Sequence, residues 1–487
     1  MHRRVLVLLL LIAGFTAARA QDWPLATPES QGMDSAALAA LVDYGGKVSM
    51  DSLVVVRNGR LVAEAYYAPY RAPMKHRVNS ATKAVIGMLT GIAIARGEMP
   101  PPSASLAELF PRAANATDPR WKEITLQHLL DMTSGIAWTE PLSDAIPLTA
   151  VEMERSRNWE DFILARAIAQ SPGASFDYNS GNPHLLSIAL ARRTGMPTEA
   201  YARKVLFEPL GITDLRWRKD PQGVAIGGYG LYLQTRDMAR LGQLYLQHGA
   251  WNGRQVVPRA WTDRAFAAGV DMRIPGLRYA DFWWSVPQRG ATMMVGFNRQ
   301  VVLVLPDLQV VAAMTGRANY PLEDMIAHVR RAARSAEALP EDPLAQAALR
   351  EKIRLAAVAP PPGIAGDTKA SALRAAYRLD DNPMGVREIG FDFTVAPPMY
   401  RMLMRSRDLV APVGLAGEFA EGDDGGTPIF TRAAWQDART LHVEQRWPEE
   451  GTSVRYVLKF DGDDLEIART NERGVRSVVK ARRAAAE

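Results

Sequence analysis

The feature that most constrains the fold is a strand pattern split between two distant parts of the chain. Residues 52–57 ("SLVVVR") read as a strand, Asn58-Gly59 is a two-residue turn signal, and 61–67 runs back, so the chain opens with a β-hairpin. Strands resume only at 281–287 ("DFWWSVP"), 301–305 ("VVLVL") and, after a turn at Pro306-Asp307, 309–315 ("QVVAAMT"). Between these ends, from Ser80 to about Leu246, the pattern is mainly helical and broken by loops rich in Pro, Gly, Ser and Asn. The layout predicts an α+β fold in which one antiparallel sheet is assembled from both ends of a region, with a mostly helical subdomain inserted beside it. A capped helix starting at Asp34-Ser35 and ending at Gly45-Gly46 precedes the hairpin, and a helix from about Leu322 to Ala338 follows the last strand.

The pattern changes beyond Ser335. A short helical stretch (344–357) leads to "APPPG" at 359–363, a stiff linker composition. Short β-like runs separated by turns then continue to the end, which predicts a C-terminal all-β domain built as a small sandwich or barrel. The expected organisation is a leader at 1–20, a first domain at 21–338, a linker at 339–370 and the β domain at 371–487. A chain of 487 residues with 47% hydrophobic content is long enough for such separate cores.

The leader has the parts of an export signal: His2-Arg3-Arg4, an apolar run from Val5 to Phe15, and Ala18-Arg19-Ala20 before Gln21. The expected location is periplasmic or secreted. The apolar run is short for a transmembrane helix and none follows it, so no stable membrane span is expected. Removing Arg3, Arg4 and Arg19 takes the formal charge from +5 to +2. The remaining basic residues are scattered, which excludes a nucleic-acid surface. With no cysteine there is no disulfide, thiol chemistry or lipid attachment. The seven histidines are dispersed, and neither a metal nor another cofactor is expected. No G-x-S-x-G elbow or phosphate-binding glycine pattern occurs.

Ser80-Ala81-Thr82-Lys83 carries the candidate chemistry. The pattern itself is cheap: Ser477-Val478-Val479-Lys480 matches too, but in a strand-like run whose residues three apart point to opposite faces. After Ser80, by contrast, Val85, Ile86, Leu89, Ile92 and Ala93 keep helical spacing up to Arg96-Gly97, so Lys83 lies on the same face as Ser80. A serine in the first helical turn sits at the positive end of the helix dipole, which favours a developing alkoxide. Tyr178-Asn179-Ser180 lies in a loop after Pro172-Gly173, where residues two apart can face one cleft. Tyr178 can act as a base only if a nearby cation such as Lys83 lowers its pKa from about 10.

From about Trp23 to Ala338 the chain resembles the serine β-lactamase and penicillin-recognising hydrolase superfamily. The matching stretches are "SLVVVRNGRLVAEAYY", "NSATKAVIGMLTGIAIARGE", "ITLQHLLDMTSGIAW", "PGASFDYNSGN", "GGYGLYLQTRDMARLGQLYLQHGAWNGRQVVPRAW" and "GFNRQVVLVLPDLQVVAAMTG". The Tyr-x-Ser form and the "RDMARLGQLYLQHGAWNGRQVVP" segment look most like the 6-aminohexanoate-oligomer hydrolase and esterase branch. The resemblance implies that Ser80 is the acylated nucleophile, Lys83 its activator and Tyr178 the proton carrier. Ser180 would orient substrate or Lys83. The family's third motif, typically Lys-Thr-Gly or His-x-Gly, falls best on Met294-Val295-Gly296, where only the glycine survives. Gly296 would let substrate approach the strand, and the Phe297 amide would complete an oxyanion hole with that of Ser80.

The expected activity is cleavage of a small-molecule amide or ester through an acyl-enzyme. Two alternatives stand beside it: a catalytically weak penicillin-binding-like protein that senses peptidoglycan fragments, and a true β-lactamase or D-Ala-D-Ala carboxypeptidase. The missing third-motif cation argues against the last. Trp138, Trp283 and Trp284 are candidate pocket walls, and the sequence leaves the oligomeric state open.

Overall fold

The computed structural model describes residues 23–143, 145–267, 269–358, 373–382, 384–415, 417–472 and 474–484. The expected leader and the "APPPG" segment lie outside them.

The split strand pattern closes into one eight-stranded antiparallel sheet. Its order is Arg60–Tyr66, Met50–Arg57, Val310–Gly316, Gln300–Leu305, Ala291–Gly296, Trp283–Val286, Arg278–Ala280 and Val270–Asp271. The opening hairpin therefore meets the late strands directly, with Val54 opposite Ala313 and Ala313 opposite Val302. Asn58 and Gly59 both take positive φ (50° and 70°), which is why a non-glycine turn there needs asparagine.

The strands at 50–57, 291–296, 300–305 and 310–316 are buried along their whole length, so both sheet faces are covered. The Ser35–Lys47 helix, N-capped by Asp34, packs with the Leu322–Ala332 and Pro343–Ala356 helices. The Thr235–Leu246 helix lies on the central strands. At Gly242 a Cβ would stand 2.6 Å from Val302 Cγ1 and 2.6 Å from Val311 Cγ1, so the missing side chain sets how closely this helix approaches the sheet. The helical insert is organised around Thr82–Ala95 packed on Gly181–Thr194.

Two boundaries differ from expectation. The "DFWWSVP" strand begins at Trp283, because Asp281 and Phe282 take positive φ and turn the chain back from Arg278–Ala280. The final helix stops at Ala332 instead of Ala338. The backbone there leaves the helix to pair with 32–34: Asp34 N–H donates to Ala332 O (2.9 Å) and Arg334 N–H to Gly32 O (3.0 Å). Arg57 pins both segments, donating to Gly32 O at 2.8 Å and Ser335 O at 2.6 Å.

The C-terminal region is all-β. Ten antiparallel strands run in the order 408–412, 399–404, 386–392, 374–379, 476–483, 464–471, 452–461, 440–447, 428–435 and 420–423, and the two end strands touch, giving a nearly closed barrel. It has its own core, which includes Phe391, Tyr400, Leu441, Leu458 and Ile467. Ser477 and Lys480 lie on the Arg476–Arg483 strand.

Candidate active site

Ser80 sits in a tight 3-10 turn, Asn79–Ala81, that feeds the Thr82–Ala95 helix. Asn79 takes φ +47°, a conformation that surrounding contacts must hold. Arg77 Nε donates to its Oδ1 (2.9 Å), its own Nδ2 donates to Phe297 O (3.0 Å), and Thr82 Oγ1 donates to its carbonyl (2.7 Å). The serine thus stands on a turn tied both to its own helix and to the end of the Ala291–Gly296 strand.

Lys83 is buried, and its Nζ meets Ser80 Oγ at 3.0 Å, Ser180 Oγ at 3.0 Å and Gly228 O at 2.7 Å. Burial pushes its pKa down to about 8, against a smaller upward pull from Glu140. Ser180 is also fully buried, and its hydroxyl donates to Glu140 Oε1 at 2.6 Å. That fixes the direction of the network. The Ser180 proton is committed to Glu140, so Ser180 can only accept from Lys83, as Gly228 O must. A neutral Lys83 has two N–H groups for these two acceptors, which leaves its lone pair facing Ser80.

Tyr178 is buried beside them. Lys83 Nζ lies over its ring, 4.7 Å from the centroid. The lowering of the phenol's pKa that a base role requires does not occur. Burial pushes it up and Glu140 adds to the rise, against a smaller downward pull from Ser80.

Residues 31–337 match the Beta-lactamase family model. The chain belongs to the β-lactamase family. The 6-aminohexanoate-dimer hydrolase of Paenarthrobacter ureafaciens is 24% identical over 272 residues, which cover 51% of this chain and 68% of that protein. Esterase EstB of Burkholderia gladioli is 24% identical over 216 residues, 38% of this chain and 53% of that one. Among solved structures, a Bacillus anthracis protein named as a candidate 6-aminohexanoate-dimer hydrolase superposes with a TM-score of 0.54 at 19% identity, covering 70% of this chain and 87% of that one. The family unites amidohydrolases, esterases and β-lactamases, and this chain is a member of that hydrolase group.

The β-lactamase-family cleft here has a volume of about 610 Å³, and Ser80, Tyr178, Val295, Gly296 and Phe297 all line it. Met294 does not: it points into the core, so a cation at that position would be buried away from substrate. The cleft nevertheless holds guanidinium groups, because Arg77, Arg218 and Arg299 line it. Sequence reading missed them, since they come from three separate segments. Gly296 also serves a close approach within the chain. A Cβ there would stand 2.3 Å from the chain's own Val78 carbonyl, just ahead of the Ser80 turn.

Of the three tryptophans, only Trp284 lines the cleft. Its strand neighbour Trp283 faces the opposite side and stacks on Tyr245 at 4.2 Å in the core. Trp138 is buried, and its Nε1 donates to Glu140 Oε2 at 2.7 Å. Glu140 is the other residue missed. It lies in a loop with no periodicity, and its only sequence mark is its place two residues beyond the "SGIAW" stretch. Among the described residues, no group of three His, Asp or Glu could hold a metal ion, and no helix is long and apolar enough to cross a membrane.

Proposed function

We propose that this chain is an exported serine hydrolase that cleaves a small-molecule amide or ester through a Ser80 acyl-enzyme. The observation that carries the reading is the 3.0 Å contact between Ser80 and a buried Lys83 whose other two contacts are acceptors. Neutral Lys83 takes the hydroxyl proton as Ser80 Oγ attacks the carbonyl carbon. The amides of Ser80 and Phe297 receive the oxyanion. Tyr178, kept as a phenol, gives its proton to the leaving amine or alcohol and regains one from Lys83. Water then repeats the sequence to release the acid.

The raised Tyr178 pKa and the depressed Lys83 pKa together favour the lysine as base. The test is mass spectrometry after treatment with an alkyl fluorophosphonate, with Ser80→Ala as control. A modified Ser80 peptide supports the reading, and equal labelling of the variant contradicts it.

The absence of a cation on the cleft strand favours a second reading, a binder or sensor of peptidoglycan fragments. A stoichiometric penicillin adduct that never turns over would select it. A screen of short acyl esters, linear amides, D-amino peptides and nitrocefin separates the hydrolase branches.

A further inference from the structure

The C-terminal barrel lies outside the matched family region, yet one of its hairpin loops seats on strands that flank the serine site. Strands Thr440–Trp447 and Thr452–Asp461 are joined by a turn, Pro448–Glu450, followed by Gly451 at φ +63°. A Cβ on Gly451 would stand 2.7 Å from His76 Cε1, so the loop seats tightly on the first domain. There it meets a small three-stranded sheet in the order His76–Arg77, Leu231–Leu233, Arg216–Trp217.

The Glu450 carboxylate takes one donor from each of these three strands. Arg77 Nη1 lies 3.2 Å from Oε2, the Tyr232 hydroxyl donates to Oε1 at 2.7 Å, and Arg216 Nη2 lies 3.1 Å from Oε1. Each central contact continues toward the site. Arg77 holds Asn79, the left-handed residue before Ser80, and Asn79 in turn holds the Phe297 carbonyl. Strand 231–233 starts three residues after Gly228, whose carbonyl accepts from Lys83, and Leu231 O accepts from Val78 N–H at 2.9 Å. Both halves of the Ser80–Lys83 pair are therefore attached to strands that this one carboxylate gathers.

We propose that Glu450 is a positioning residue through which the C-terminal barrel holds the Ser80 turn and the Gly228 carbonyl in register, so that the barrel is a working part of the hydrolase. The inference rests on Ser80 being the nucleophile. Displacing reacting groups by about an ångström costs up to about a hundredfold in rate, and side chains joined in one polar network respond together.

The test uses the full-length chain and an alkyl fluorophosphonate, reading the maximal rate and half-saturation of Ser80 labelling for wild type, Glu450→Ala, Glu450→Gln and Glu421→Ala. Glu421 pairs with Arg71 at 2.7 Å across the same pair of domains, but both side chains are half-exposed and neither contacts the small sheet. The expected result is a maximal rate about tenfold lower or more in Glu450→Ala, with half-saturation held. Glu450→Gln recovers part of it, because an acceptor remains for Tyr232, and Glu421→Ala behaves as wild type. If Glu450→Ala fails to fold, the glutamine variant must itself label more slowly than wild type. Wild-type rates in both Glu450 variants, or an equal loss in Glu421→Ala, overturn the proposal. No Ser80 label on the wild-type chain overturns the nucleophile reading and this one with it.

Discussion

At Lys83 a buried amine meets three oxygens, two of which can only accept from it. Burial lowers its folded pKa to about 8, and the proposed mechanism needs the neutral form. Acylation therefore rises with pH through about 8 and levels above it. Lys83→Met removes the proposed base and is expected to lower the labelling rate of Ser80 by about 10²–10⁴, measured by intact-mass kinetics. Glu140 supplies a prediction of opposite sign on the pH axis. Its charge raises the Lys83 pKa, so Glu140→Gln moves the midpoint of the pH–rate profile to lower pH. The plateau falls as well, because the Ser180 hydroxyl loses the carboxylate that orients it. A profile unchanged in midpoint and height would show that Glu140 does not act through Ser180.

At the scale of elements, glycines set two close approaches, one in the core and one beside the site. Gly242 brings the Thr235–Leu246 helix onto the central strands, and Gly296 brings the cleft strand onto Val78. Gly242→Ala overpacks a buried interface and is expected to cost about 1–3 kcal/mol in chemical denaturation, while Ser80 labelling per folded molecule stays at the wild-type rate. The strands and the Ser80 helix were legible because periodicity reports which face is buried, and the opening hairpin carried its own turn signal. The Phe282 turn and the early end of the last helix were not. Both depend on backbone partners far away in the chain, Leu130 O for Phe282 N–H and Gly32 O for Arg334 N–H. Glu140 and the cleft arginines stayed hidden for the same reason: they act from loops and chain segments that meet only in three dimensions.

Across the whole molecule, a buried charge cluster lies on each side of the junction between two hydrophobic cores. Asp51 of the first domain lies against Arg317 (2.8 Å) and His76 (3.1 Å). In the barrel, Glu444 pairs with Arg432 and Arg446, and Arg446 reaches across to Ala68 O at 3.1 Å. Burial alone raises both carboxyls, but Arg317 and the His76 hydrogen bond at Asp51, and the two guanidinium groups at Glu444, outweigh it and hold both pKa values below their ordinary range. A depressed carboxylate stabilises the fold above its unfolded pKa and loses that contribution as pH falls through the folded value. Acid is thus expected to loosen barrel docking, seen as faster proteolysis between the domains as pH drops below the usual carboxylate range. Equal proteolysis at neutral and acid pH would contradict the linkage. Export is tested by the same preparation, since cleavage before Gln21 leaves a mature N-terminus that peptide mapping reads directly.

In the proposed mechanism Ser80 is a nucleophile activated by a neutral Lys83. The most direct measurement is the rate of fluorophosphonate labelling at Ser80 from about pH 6 to about pH 10, read by peptide mass spectrometry beside Ser80→Ala. The expected result is label on the Ser80 peptide alone, none in the variant, and a rate that climbs through about pH 8. Label on another serine, or a Ser80 rate flat across that range, would contradict it.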